Sequence, residues 1–191
     1  MTARRNTPKG EGKPMLPQKL AALYVEMEKV RGETLSALSG LTEEEFSRKV
    51  EGEWSAAQLL HHILMAEIGT SKVIRKSIKS SGGALPPYPA DDSGIDVRAL
   101  PKPAGAYEAP ESIRPESPPG RDDLLKLARE TREQTASSFV MLATVDPRAA
   151  TFPHPLFGAA PNLYEWPVLT VLMHERDHQG QIRKLLESLR G

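Results

Sequence analysis

His174 and His178, in the stretch VLMHERDHQGQIRKLL, stand four residues apart. On a helix that is one turn, so both imidazoles project from the same face and can share one metal ion. The chain has 5 histidines, so a third imidazole has to come from His61, His62 or His154. It has no cysteine, which excludes disulfides, zinc ribbons and thiolate chemistry from its own side chains. A metal must therefore be held by imidazole, carboxylate or water.

The elements that must carry these residues are helical. Residues 1–14 are basic and rich in Gly and Pro, without periodicity, and read as a disordered tail preceding a domain over 15–191. From Leu16 the pattern turns helical, with Leu20, Leu23, Tyr24, Met27, Val30 and Leu35 on one stripe and Gly40 ending it. Thr42-x-x-Glu45 has the form of a capping box at the start of a short turn. Ser55 is placed to cap a long second helix over 56–80. Residues 81–120 hold nine of the chain's 17 prolines and several glycines, which excludes a regular helix or a central strand. A loop of that length is either functional or disordered. Helical periodicity resumes over 121–142 (Leu124, Leu125, Leu127, Ala128, Phe139, Leu142) and again over 163–189. With no internal repeat and no strand alternation, the pattern predicts an all-α protein. Its architecture is a four-helix bundle with a long Pro-rich crossover between helices two and three.

Helix phase selects the third imidazole. Neighbours on a helix diverge by about 100°, so only one of His61 and His62 can enter a given site. The apolar stripe of the second helix is Ala56, Leu59, Leu60, Ile63, Ala66 and Ile74; His62 lies at its edge and His61 nearly opposite. On the last helix, His174 and His178 line up with Val171, Gln181 and Leu185. Facing helices of a bundle build metal sites in this way, and the set assigned is His62, His174 and His178. His154, between two prolines, reads as a loop residue that packs or caps, but its loop leads directly into the last helix. His154, Gln181 and Trp166 are the residues expected beside the centre or facing a substrate. Trp54 and Trp166 read otherwise as core or helix-start anchors, and Gln181 as half of an interhelical hydrogen bond. Glu175 and Asp177 point away from the histidine line, toward solvent or surface ion pairs. Glu67 lies angularly far from His62 and is expected in a salt bridge. No residue stands out as a general base.

Composition closes off other functions. Lys+Arg and Asp+Glu are balanced at 25 each, where a nucleic-acid binder would show a basic excess. No apolar run approaches the roughly 20 residues of a membrane span, and no signal-peptide core follows Met1, which points to a soluble cytoplasmic protein.

Three local patterns resemble those of the DinB/YfiT-like superfamily of bacterial four-helix-bundle proteins. They are Trp54-Ser55 with Gln58 to Leu60, His62 and Glu67; His154-Pro155 with Phe157, Gly158, Ala160 and the Glu165-Trp166 pair; and His174, His178, Gln181 and Ile182. They occur in the family's order, and the likeness spans Leu16 to Leu189. The 81–120 stretch is longer than the usual family connection. The resemblance implies that His62, His174 and His178 hold a divalent ion, zinc or nickel, with water completing the sphere. Three protein ligands and an open position is the catalytic arrangement for zinc. Relatives with known activity use low-molecular-weight thiols such as bacillithiol or mycothiol in S-transfer or isomerisation; others are described as metal-dependent hydrolases. The resemblance thus implies a metal-dependent enzyme that activates a small-molecule thiol. Its alternatives are a hydrolase using water on the metal and a non-catalytic metal-binding module. The substrate implied is a small molecule, and homodimers are common among relatives.

Overall fold

The computed structural model describes residues 15–99, 109–154 and 160–190. The expected tail over 1–14 lies outside them, as do residues 100–108 of the Pro-rich stretch. Helix α1 spans Gln18–Leu38 and buries Leu20, Leu23, Met27, Val30 and Leu38 at three- and four-residue steps; Arg31 and Thr34 fall on the same buried stripe. Pro17 brings no side-chain cap. Instead the Asp92 carboxylate accepts from the Lys19 backbone N–H at 2.8 Å, placing a negative charge at the positive end of the helix.

Helix α2 (Glu43–Ser47) starts at the expected Thr42/Glu45 capping box. Helix α3 (Ala56–Ser80) starts at Ser55, whose hydroxyl accepts from the Gln58 backbone N–H while the Gln58 side chain accepts from the Ser55 N–H. Satisfying two orphan donors at once fixes where this helix begins, and with it the phase of His62. Helix α4 spans Arg121–Leu142. The bounds of α3 and α4 coincide with those the sequence predicts.

The final helix departs from expectation, because it is not one regular helix over 163–189. It opens with a single turn, α5 (Glu165–Pro167), passes through a π-helical segment at Val168–Met173, and becomes α6 at His174–Arg190. Pro167 supplies no N–H, and the Thr170 hydroxyl donates back to the Trp166 carbonyl at 2.6 Å. Both features disturb a regular i→i−4 ladder. The wider turn shifts the register immediately before the two histidines.

Helix α3 packs along α4 and α6, and α1 packs against α6 and the π segment. The apolar residues form two clusters. One holds Leu20, Met27, Ile74, Phe139, Leu142 and Val171; the other holds Leu38, Phe46, Leu60, Ile63, Leu124 and Ile182. On each long helix a buried polar step separates the two: Arg31 and Thr34 on α1, Glu67, Thr70 and Ser71 on α3, Thr131 and Thr135 on α4, and Glu175 on α6. The bundle thus has a polar layer between two oily ones.

The connection between α3 and α4 contains, among its described residues, a single 3₁₀ turn at Glu111–Ile113. Those residues pack on the bundle. Ile95 is fully buried, the Asp146 N–H donates to the Pro86 carbonyl at 2.7 Å, and Arg98 grips both oxygens of buried Glu165 at 2.7 and 2.6 Å. No helix among the described residues is long and apolar enough to cross a membrane.

Candidate metal centre

His62 on α3 and His174 and His178 on α6 meet beside the polar layer. Each offers one ring nitrogen, and these atoms all lie within 4.8 Å of one another. Nε2 of His174 stands 3.0 Å from Nε2 of His62 and 3.0 Å from Nε2 of His178. His61, on the same helix as His62, is outside the cluster and half-buried, as its phase requires.

The outer nitrogens decide the chemistry of the inner ones. Nδ1 of His62 lies 2.7 Å from the Ile113 carbonyl oxygen. A carbonyl only accepts, so Nδ1 carries the proton and Nε2 presents a lone pair. Nδ1 of His178 stands 2.7 Å from the Gln181 side-chain oxygen, with the same consequence. His174 Nδ1 is buried and has no hydrogen-bond partner among the described residues. A proton on His174 Nε2 can point to only one of its two neighbours. One divalent cation satisfies all three nitrogens together. Nitrogens bound about 2.1 Å from a common ion lie about 3.0–3.4 Å apart for octahedral to tetrahedral angles. The observed spacing and donor set therefore fit a metal ion.

Burial keeps these rings neutral. It pushes His62 down to about 4, opposed by the Ile113 hydrogen bond and reinforced by His178 and His61. It pushes His174 down to about 3, with His178, His62 and His154 adding to the shift. Burial also lowers His178, partly offset by Gln181, and takes His154 down to about 4. At neutral pH all four are uncharged imidazoles, the form that binds metal. In the metal-free protein the unfolded chain, with ordinary histidines near 6.5, binds more protons than the folded one between about pH 6.5 and 3. The stability contributed by these burials is complete above about pH 6.5 and is lost as pH falls toward 3. Thermal melts in chelator are expected to show Tm falling from pH 7 to pH 5, with a shallower fall in His154→Gln. A Tm flat across that interval in the unmodified protein would contradict the burial of these rings.

The rest of the sequence-derived set is distributed around this centre. Gln181 reaches its own helix's His178 and, among the described residues, forms no interhelical bond there. His154 rests against Trp166 with ring centroids 4.8 Å apart, and the Trp166 indole N–H donates to the Phe152 carbonyl at 3.1 Å. Of the second family-like pattern, Pro155, Phe157 and Gly158 lie outside the described residues. Trp54 sets its ring edge-on to His62, centroids 4.9 Å apart, and stacks on His178 at 6.4 Å. It is thus a helix-start anchor that also walls the site.

Asp177 is exposed, as expected, but the expectation for Glu175 is corrected. Glu175 is 1 % exposed and takes Nε and Nη2 of Arg31 at 2.8 and 3.0 Å. One residue along a helix turns about 100°, and here that rotation leads from the α3 flank to α1 rather than to water. Glu67 forms the expected salt bridge, but in the interior, with Arg31 at 2.8 Å and Arg132 at 3.4 Å.

Two contributors escaped the sequence. The Ile113 carbonyl is a backbone group in an irregular segment and leaves no side-chain signal. Arg31 did leave one, since it stands four residues after Met27 on the apolar stripe of α1. A family model described as the DinB superfamily matches residues 26–182, more than half of the chain. No curated protein and no solved structure matches it.

Proposed function

Because the chain belongs to the DinB superfamily, we propose that it is a divalent-metal-dependent enzyme in which His62, His174 and His178 hold zinc or nickel and a small-molecule thiol is co-substrate. The observation that carries this reading is the convergence of three Nε2 atoms, two of them with the proton confined to the far nitrogen. A divalent ion bound there lowers the pKa of a thiol or water beside it toward neutrality. Ile113 and Gln181 hold the His62 and His178 rings in the ligating tautomer. His154 and Trp166 are assigned to substrate contact. The thiol proton leaves to solvent, sulfur forms a bond to an electrophilic carbon, and the leaving group departs with the electron pair of the bond that breaks.

The thiol is carried by the family resemblance, and the two buried carboxylates beside the centre offer a base to neither nucleophile. Glu67 and Glu175, buried on the two ligand-bearing helices, are both committed to Arg31. Neither is a free carboxylate to serve as general base for hydrolysis. The reading places the protein in the cytoplasm, where low-molecular-weight thiols stay reduced.

The test is thiol consumption with a chloro-nitroaromatic electrophile, using bacillithiol, mycothiol and glutathione in turn. Loss of free thiol is expected to require metal and to vanish in His178→Ala. Ester or amide cleavage without any thiol would move the assignment to a hydrolase. Inactivity throughout, with chelation lowering Tm, would leave a metal-binding module whose ion ties α3 to α6.

A further inference from the structure

We propose that Arg31 is the positioning residue of the three-imidazole centre: from α1, which carries no histidine, it joins the two helices that do. The inference rests on the metal reading above. Arg31 donates from Nε and Nη2 to the two oxygens of Glu175, at 2.8 and 3.0 Å, and from Nη2 to Glu67 at 2.8 Å. Glu175 directly follows His174. Glu67 stands five residues beyond His62, about 7.5 Å along α3. One planar guanidinium therefore spans α6 and α3 at the level of the site.

The geometry of that span is stiff. A guanidinium presents its donors in a fixed fork, so two-point contact with Glu175 sets orientation as well as distance. Arg31, Glu67 and Glu175 are 5 %, 0 % and 1 % exposed, so water offers them no competing arrangement. The other Glu67 oxygen is taken by the Thr135 hydroxyl at 2.7 Å. A second tie lies one turn further along α6, where the Gln179 amide donates to the Val30 carbonyl at 3.1 Å. Helix α1 thus grips α6 at the residue after His174 and again at the residue after His178.

Two distances in the centre have different origins. The His174–His178 spacing follows from one turn of one helix. The His62–His174 spacing crosses from α3 to α6 and is 3.0 Å only if the two helices are held at that separation and rotation. Arg31 supplies the hold before any ion arrives. Loss of the network should then change the coordination of a bound ion and not merely the stability of the bundle.

The experiment compares the full-length protein with Arg31→Met/Glu67→Gln/Glu175→Gln, which removes all three charges at similar volume, and with Arg31→Lys, which keeps the charge but loses the fork. Cobalt(II) is the probe, read by its visible absorption bands and by chelator competition. Expected are an affinity about 10- to 100-fold lower in the triple variant, in the range found when groups holding a ligand are removed, an altered band intensity, and an intermediate result for Arg31→Lys. In metal-free wild type, the Arg31 Nε–H resonance is expected to be present, protected from exchange, and unmoved by zinc. Wild-type cobalt affinity and spectrum in the triple variant would overturn the proposal, as would an Nε–H signal that appears only on adding metal. If the triple variant does not fold, that resonance decides alone. A wild type that takes up no cobalt overturns the metal reading, and this inference with it.

Discussion

His174→Ala is expected to lower zinc and cobalt affinity by about a hundred- to a thousandfold, and His62→Ala by a similar factor. The size follows from sharing roughly 10–16 kcal/mol of zinc binding among four ligand positions, about 2.5–4 kcal/mol each. His174 is the sharper case because its Nε2 is the atom that stands 3.0 Å from both others. His61→Ala should leave affinity within about twofold, since its ring is on the wrong phase of α3 to reach the cluster. Elemental analysis of the purified variants, followed by chelator competition, measures both effects. Metal lost from His61→Ala but retained by His62→Ala would reverse the assignment of the third ligand.

Arg31→Met alone should destabilise the metal-free bundle by about 3–5 kcal/mol, the range for breaking a buried ion pair from one side. Glu175, 1 % exposed, would remain without a countercharge, and Glu67, 0 % exposed, would keep only Arg132 at 3.4 Å. Burial by itself weakens the guanidinium charge, and the two glutamates more than offset it, holding Arg31 above its ordinary value. For a chain of this size the loss corresponds to a Tm lower by about 6–20 °C. Melts must be run in chelator, because bound metal stabilises the folded state by mass action. Adding Glu67→Gln and Glu175→Gln should restore most of the stability, because both carboxylates are then neutral and Arg132 keeps Glu28 at 2.8 Å. An Arg31→Met protein melting within about 2 °C of wild type would show that the network carries no such weight.

Much of the site was legible because it depends on local rules. Ser55 and Gln58 cap α3 by a pattern visible in three residues, and that cap sets the phase that turns His62 inward and His61 aside. The His174/His178 pair needs only one helical turn. The solvent expectation for Glu175 failed because helix phase gives an angle and not a neighbour. The side away from α3 belongs to α1 in this bundle, and only packing reveals that. The π segment at Val168–Met173 was equally hidden, since periodicity over 163–189 reads as one helix whether or not a turn widens. The Ile113 carbonyl could not be found at all, being 51 residues from the ring that it orients.

From its own sequence, then, the chain determines its main helices, the capped starts of α2 and α3, and which imidazoles turn inward from each helix. Those depend on contacts within a few residues. The tertiary structure alone decides how far apart the imidazoles stand, which tautomers they hold and what fills the polar layer around them. These depend on groups such as Arg31, Glu67, Glu175 and Ile113, which lie far apart along the chain. Such groups meet only when the oily layers above and below have brought four helices together.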